Sequence, residues 1–226
     1  KTDEFFIARD RIGIKPLFFY HDEKTFIFSS EIKAILEFNF IDKAVDQTAI
    51  YDFFTYLYIP SPKTIYKKIK KLEHGHYLLY SSKSKKLKKY KYWELNPYNS
   101  IDIGETEAIE NIKHLVNKSV KMRLVSDVPV GVLLSGGLDS SVITGIASKH
   151  YNSTLQSFTI GFNEKTNDES QFAKIVANKF STDHTNELLN YNNFLNLFLE
   201  LHNKFDEPFA DSSLTPTYLV SLIASK

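Results

Sequence analysis

The stretch that most constrains this chain runs Val130-Gly131-Val132-Leu133-Leu134-Ser135-Gly136-Gly137-Leu138-Asp139-Ser140-Ser141. An apolar run from Val130 to Leu134 stops at Ser135. Helical spacing resumes with Val142, Ile143, Ile146, Ala147 and His150. The pattern predicts a strand, a tight loop and a helix over Ser140–His150. Free backbone N–H groups and the positive end of the helix dipole meet at such a loop, and both favour an anion such as phosphate. Gly136 and Gly137 permit a sharp turn and a close approach to a ligand. Ser135, Ser140 and Ser141 add hydroxyl donors. The loop has no lysine, so it is not the Walker A pattern. On these residues alone it is either a phosphate cradle or a turn that packs a helix on a strand.

The second half of the chain alternates strands and helices around that loop. Glu105 to Leu124 reads as an amphipathic helix, with Ile109, Ile112, Leu115, Val116 and Val120 on its apolar side. Its acids lie early and its bases late, as the macrodipole favours. After the loop come a strand over Leu155–Ile160 and a helix over Glu169–Phe180 with Phe172, Ile175, Val176 and Lys179 on one face. A strand from His184 to Leu188 follows. A helix then spans Tyr191–His202, with Phe194, Leu197, Phe198 and Leu201 inward, and another spans Ser213–Ala224. Such alternation implies a parallel sheet with helices on both faces. Ligands bind such a sheet at the carboxyl ends of its strands, which puts Ser135–Ser140 and Ile160 on one edge.

The first half reads differently. Short aromatic-rich strands are expected at Phe5–Ala8, Leu17–Tyr20 and Thr25–Ser30, then a short helix over Glu31–Phe38. Asp46 is placed to cap a helix from Gln47 to Leu57, with Ile50, Phe53, Phe54 and Leu57 inward. His76–Tyr80 and Leu87–Trp93 form a hairpin. Lys63 to Lys91 holds eleven lysines with tyrosines between them. Lysine without arginine or glycine-rich loops is weak evidence for a nucleic-acid surface, and a soluble, charged edge is the plainer reading. His74 and His76 lack a third ligand and define no metal site. Asn96–Gly104 is polar and reads as a linker.

Composition narrows the classes. The chain has 226 residues, net charge +1 and no cysteine. Disulfides, thiolate metal sites and a cysteine nucleophile within these residues are excluded. No apolar run approaches the ~20 residues of a membrane span. A cytoplasmic enzyme is the expectation, with no nucleic-acid and no membrane partner. Lys1 stands where a complete chain would have Met, so an internal fragment of a longer protein is expected.

Ser135-Gly136-Gly137-Leu138-Asp139-Ser140-Ser141 resembles the PP-loop of ATP pyrophosphatases. Its flank from Ser126 to Leu134, and Asp206-Glu207-Pro208-Phe209-Ala210-Asp211-Ser212-Ser213, are similar to glutamine-dependent asparagine synthetases. Arg9-Asp10-Arg11-Ile12-Gly13-Ile14-Lys15-Pro16-Leu17, with Phe28-Ser29-Ser30-Glu31-Ile32-Lys33-Ala34, resembles the glutaminase domain of class II amidotransferases. The resemblance implies two domains. Residues 1–95 would be the later part of an α+β antiparallel β-sandwich of the Ntn glutaminase type. Residues 96–104 would be the linker, and 105–226 the first part of an α/β parallel-sheet PP-loop ATP pyrophosphatase domain.

It also implies roles. Ser135, Gly136, Gly137, Leu138, Asp139 and Ser140 would cradle the pyrophosphate of ATP, and Leu133 and Ile160 would contact adenine and ribose. Asp139 is the Mg²⁺ candidate; otherwise it is a helix N-terminal acid. Asp10 would hold the α-amino group of glutamine, where the residues alone read it as a turn aspartate. The Asp168-Glu169-Ser170 segment and the acids at 206, 207 and 211 are either site residues or caps. His184 fits the family pattern without a derivable role.

The implied reaction amidates aspartate with glutamine-derived ammonia through β-aspartyl-AMP, giving asparagine, AMP and pyrophosphate. The alternatives are a paralogue acting on another carboxylic acid, as in surface-polysaccharide synthesis, or a nucleotide-binding module without turnover. The family's N-terminal Cys nucleophile and its later acidic loop are absent from these residues, so no catalytic nucleophile is assigned and the piece alone is expected to be inactive. The resemblance allows a homodimer in the full-length protein.

Overall fold

The computed structural model describes residues 3–98, 100–162, 168–189, 191–202 and 204–225. The chain forms two compact units. One holds residues 1–100 together with 203–211, the other 101–202 with 212–226. Among the described residues no helix is long and apolar enough to cross a membrane.

The first unit contains β1 (Glu4–Ala8), β2 (Phe18–His21), β3 (Phe26–Ser29), α1 (Ile32–Leu36), α2 (Gln47–Tyr56), β4 (Ile69–Lys71), β5 (His76–Ser81) and β6 (Leu87–Lys91). They build two antiparallel sheets, β1-β5-β6 and β3-β2-β4. Alternation in β2 explains the layering, because successive side chains point to opposite faces. Phe19 packs in one cluster with Ile7 and Leu78 from the other sheet and with Leu72, just after β4, and the stacked rings of Phe26 and Tyr80 join the same layer. Phe18 and Tyr20 face the other way, onto Ile32 and Ile35 of α1 and onto Ile41 and Ile69. Burying such side chains contributes about 1.5–3 kcal/mol each.

Asp46 caps α2, accepting from the backbone N–H of Thr48 at 3.0 Å. The inward face differs from the expected one. Ala49 is 0% exposed, whereas Phe54 is 75% exposed and Ile50 and Leu57 are also exposed. Asp52, one turn after Ala49, pairs with Lys63 at 2.6 Å. Strand β4 was not foreseen in the lysine-rich stretch, because only Ile69 of its three residues is apolar and buried.

The second unit contains α3 (Glu105–Arg123), β7 (Gly131–Leu133), α4 (Leu138–His150), β8 (Gln156–Phe162), α5 (Ser170–Phe180), β9 (Asp183–Leu189), α6 (Tyr191–His202) and α7 (Leu214–Ala224). The three strands form a parallel sheet in the order β7-β8-β9. The central strand β8 is buried at Ser157, Phe158, Thr159 and Gly161, on both faces, as parallel strands between layers are. Only the C-terminal half of α3 packs: Val120 joins Ala147 and Leu155, with Val116 and Leu124 beside them, while Ile109, Ile112 and Leu115 are exposed.

Helix α5 turns inward a face that is only partly the expected one. Ala173 and Ala177 are buried against Leu134 with the expected Val176 beside them, whereas Phe172 and Ile175 are exposed. The small side chains let α5 approach closely: a Cβ at Gly145 of α4 would lie 2.6 Å from the Phe180 ring. In α6 Leu201 is buried but Phe198 is exposed, and the side chain of Phe194 lies outside the described residues.

Candidate nucleotide and glutamine sites

In the second unit, β7 ends at Leu133 and α4 begins at Leu138, two residues before the expected start. The intervening loop is pinned from several sides. Leu134 donates its N–H to the carbonyl of Phe158 at 2.9 Å, and the buried Thr159 hydroxyl donates to the Leu134 carbonyl. Gly136 has φ +88°, a left-handed conformation that L side chains rarely adopt. A Cβ there would lie 2.6 Å from the backbone nitrogen of Ala173, so this glycine is set by contact with the first turn of α5 as well as by φ. Gly137 is different: its φ is −70°, and an added Cβ would meet only the Ser135 hydroxyl, at 3.4 Å.

The loop hydroxyls turn inward. Ser135 Oγ lies 3.0 Å from Ser140 Oγ and accepts from the Gly137 N–H at 3.3 Å. Ser140 and Ser141 donate to the Gly137 carbonyl at 3.2 and 2.7 Å. Among the described residues no side chain caps α4. The N–H groups of its first turn have no intrahelical acceptor, and they carry the positive end of the dipole. Leu138 and Asp139 are exposed in that turn.

Beside the loop is a cavity of about 260 Å³ lined by residues that include Leu133, Ser135, Phe158, Ile160, Glu169, Pro216 and Thr217. Three of the expected nucleotide residues, Leu133, Ser135 and Ile160, therefore share one cavity at the carboxyl edge of the sheet. Its volume falls just below the roughly 300–1,000 Å³ usual for small-molecule pockets. Glu169, offered by the sequence as either a site residue or a cap, is a lining residue; Pro216, Thr217 and Val220 of α7 were missed. The one local signal for α7 was its position directly after Asp211-Ser212-Ser213.

Asp168 acts as a cap. Its Oδ1 accepts from the N–H groups of Ser170 (3.1 Å) and Phe162 (3.4 Å), and its Oδ2 accepts from the Ser170 hydroxyl at 3.0 Å. The Ser170 hydroxyl, then its N–H, hold the Asp168 pKa below the usual carboxylate value. Asp206 and Glu207 belong to the first unit, where Asp206 accepts from the N–H of Ile32 at 2.6 Å and Glu207 pairs with Lys71. Neither lines the cavity of the second unit.

In the first unit, the turn from Arg9 to Lys15 is held by two opposed clamps. The Arg9 guanidinium donates to the carbonyls of Lys15, Leu72 and Gly13 at 3.0, 2.6 and 2.9 Å. The Asp10 carboxylate collects amides: Oδ1 accepts from Ile12, Gly13 and Ile14 at 2.7–3.2 Å, and Oδ2 from Lys15 at 3.1 Å. The N–H of Lys15, then that of Ile14, lower the Asp10 pKa. Asp10 is therefore a turn aspartate, ionised and rigid. It is also exposed, and Oδ2 has one backbone donor, so the carboxylate keeps acceptor capacity for a cation.

Two family models match the chain, one over each half. The asparagine synthase family matches residues 111–226, and the glutamine amidotransferase domain family matches residues 1–93. A putative glutamine-hydrolysing asparagine synthetase 2 of Methanocaldococcus jannaschii is 42% identical over 229 residues, covering 100% of this chain and 44% of the relative. The glutamine-hydrolysing asparagine synthetase 3 of Bacillus subtilis is 34% identical over 199 residues, covering 81% and 32%. Amidase chyE of Penicillium rubens is 28% identical over 193 residues, covering 78% and 28%. The chain belongs to the asparagine synthase family and also carries an amidotransferase domain. It spans less than half the length of these relatives.

Proposed function

We propose that this chain is part of a glutamine-hydrolysing asparagine synthetase that amidates aspartate at the expense of ATP. Residues 1–95 would belong to a glutaminase sandwich, 96–104 to a linker and 105–226 to a PP-loop ATP pyrophosphatase domain. The observation that carries the reading is the convergence of Leu133, Ser135 and Ile160 on one cavity, beside the uncapped N-terminus of α4.

In this reading adenine and part of the ribose occupy the cavity between Leu133 and Ile160, whose side chains would cover its faces. The phosphates lie outside it, on the amides of Leu138, Asp139 and Ser140. Gly136 keeps the loop low against α5, and Gly137 leaves open space above the backbone. The Ser135 and Ser140 hydroxyls, which now bond each other, would turn to phosphate oxygens. Amides fixed before the substrate arrives stabilise developing charge without reorganising. The aspartate carboxylate attacks the α-phosphorus, the bond to the β-phosphate oxygen breaks and pyrophosphate leaves. Ammonia then displaces AMP from the β-aspartyl-AMP, giving asparagine after loss of a proton.

Among the described residues no three His, Cys, Asp or Glu come together as a metal site. Asp139 is thus a single carboxylate ligand, and Mg²⁺ there would be held otherwise by phosphate oxygens and water, as this ion commonly is. Its contribution would be to neutralise phosphate charge. Asp10, exposed on its rigid turn, would accept the α-ammonium of glutamine as a charge-assisted pair.

The test is pyrophosphate release by the full-length protein with ATP, aspartate and ammonia. The Asp139→Ala variant should lose at least about 100-fold in rate; near-normal turnover would remove Asp139 from the site. A second reading applies the same adenylation to a different carboxylic acid. Pyrophosphate release that needs an acid other than aspartate would establish it.

A further inference from the structure

Glu169 opens α5, but its side chain does not cap the helix. The side-chain bonds to Ser170 come from Asp168 instead. Among the described residues the exposed Glu169 carboxylate has no hydrogen-bond or ion-pair partner.

Among the described residues Glu169 is also the one charged residue lining the cavity that holds Leu133 and Ile160. Two of the polar side chains there are already engaged. Ser135 bonds within its loop, to Ser140 and Gly137, and the Thr159 hydroxyl donates to the Leu134 carbonyl. Much of the remaining lining is apolar, with Phe158, Phe162 and Val220 in it. An occupant that displaces water from a carboxylate must supply donors in its place, or the buried charge is left unpaired.

For a nucleotide the choice of donor is narrow. Phosphate oxygens only accept, and their charge repels a carboxylate at short range. The position of Glu169 separates the other two parts. Its carbonyl accepts from the N–H groups of Phe172 and Ala173 at 3.0 and 3.1 Å. The Ala173 nitrogen is the atom that a Cβ at Gly136 would meet at 2.6 Å. Glu169 therefore stands where α5 meets the phosphate loop, between the slot for the base and the amides of α4. The ribose spans that gap, and its hydroxyls are donors. An acid that accepts from a ribose hydroxyl is a recurrent device in dinucleotide sites.

We propose that Glu169 is a specificity-determining residue: it accepts hydrogen bonds from the ribose hydroxyls of ATP and so selects a ribonucleotide over a deoxyribonucleotide. The proposal rests on the nucleotide reading of the cavity and adds to it the choice of sugar.

The experiment compares ATP, 2′-deoxy-ATP and 3′-deoxy-ATP as substrates of the full-length protein. It reads kcat/KM from pyrophosphate release, with the thermal midpoint as a check on folding. Wild type should favour ATP over at least one deoxynucleotide by about 10- to 100-fold, the range for a hydrogen bond to a charged group. Glu169→Ala should bring that ratio to within about threefold of unity, chiefly by lowering the use of ATP. Glu169→Gln keeps the size and an acceptor oxygen but not the charge, and its ratio should fall to about 3- to 10-fold. A structural role, a phosphate contact or a metal ligand would lower the use of all three nucleotides alike and leave the ratio as it is in wild type. An unchanged ratio in either folded variant overturns the proposal, as does a wild type that uses the three nucleotides equally; both results leave the nucleotide reading standing. A wild type that neither binds ATP nor releases pyrophosphate overturns that reading and the proposal together.

Discussion

At the scale of single residues, the two glycines of the loop separate stability from binding. Gly136 combines φ +88° with a backbone nitrogen 2.6 Å from where a Cβ would sit. Gly136→Ala should destabilise the chain by about 1–3 kcal/mol, seen as a lower thermal midpoint. Gly137 has ordinary φ and open space around it. Gly137→Ala should leave the midpoint within about 0.5 kcal/mol of wild type. If phosphates lie over that position, the same variant should weaken ATP binding about tenfold, or ~1.4 kcal/mol, measured by calorimetry on the full-length protein. Unchanged affinity would place the phosphates elsewhere. The serine and glycine content of this loop was legible because strand, glycine pair and helix follow one another without a gap. The turn role of Asp10 was legible too, since Asp side chains commonly bond backbone a few residues on. That its carboxylate gathers four amides was not, because the count depends on the path of the turn.

At the scale of elements, the order and kind of the larger elements could be read from periodicity, but faces and one short strand could not. The alanines of α5 and Ala49 of α2 are what those helices bury. A sequence reading that sends the largest apolar side chains inward misses helices whose close approach demands small ones. The pairing of β8 with β9 holds a further element-level device. The buried Ser157 hydroxyl lies 2.8 Å from Thr182 Oγ1 and 2.9 Å from His184 Nδ1, while His184 Nε2 is buried without a hydrogen-bond partner among the described residues. Burial lowers the His184 pKa, the contact with Ser157 opposes this, and Lys174 adds to the lowering. Because the folded value lies below the unfolded one, the unfolded chain binds the proton more readily. The neutral ring's contribution is therefore complete above about pH 6.5 and is lost as pH falls from there through the lower folded value. Thermal midpoints should drop over that window in wild type and drop less in His184→Asn. Equal slopes for the two would show that His184 does not titrate differently on folding.

At the scale of the whole molecule, the division into an antiparallel unit and a parallel unit was legible from the change of pattern after Trp93. The membership of 203–211 in the first unit was not. Its partners are far away in sequence, with Asp206 to Ile32 spanning 174 residues and Glu207 to Ile65 spanning 142. No local pattern marks a pairing at that range, and an acidic loop before a helix reads the same whether it faces a nucleotide or a distant lysine. In the proposed reading the two units hold separate sites, which would allow separate losses of function, and Asp10 tests this. Asp10→Ala would remove four amide bonds and risk the turn itself. Asp10→Asn is sharper, because its remaining oxygen can keep the three bonds from Ile12, Gly13 and Ile14 while the negative charge is lost. A charge-assisted pair with an ammonium contributes about 1.5–3 kcal/mol. In the full-length protein the KM for glutamine should therefore rise about 10- to 100-fold, while the ammonia-driven rate stays within about twofold. Parallel assays with glutamine and with ammonium chloride would decide it. Equal loss in both assays would mean that Asp10 only holds its turn, and that the glutamine α-amino group is bound by another residue.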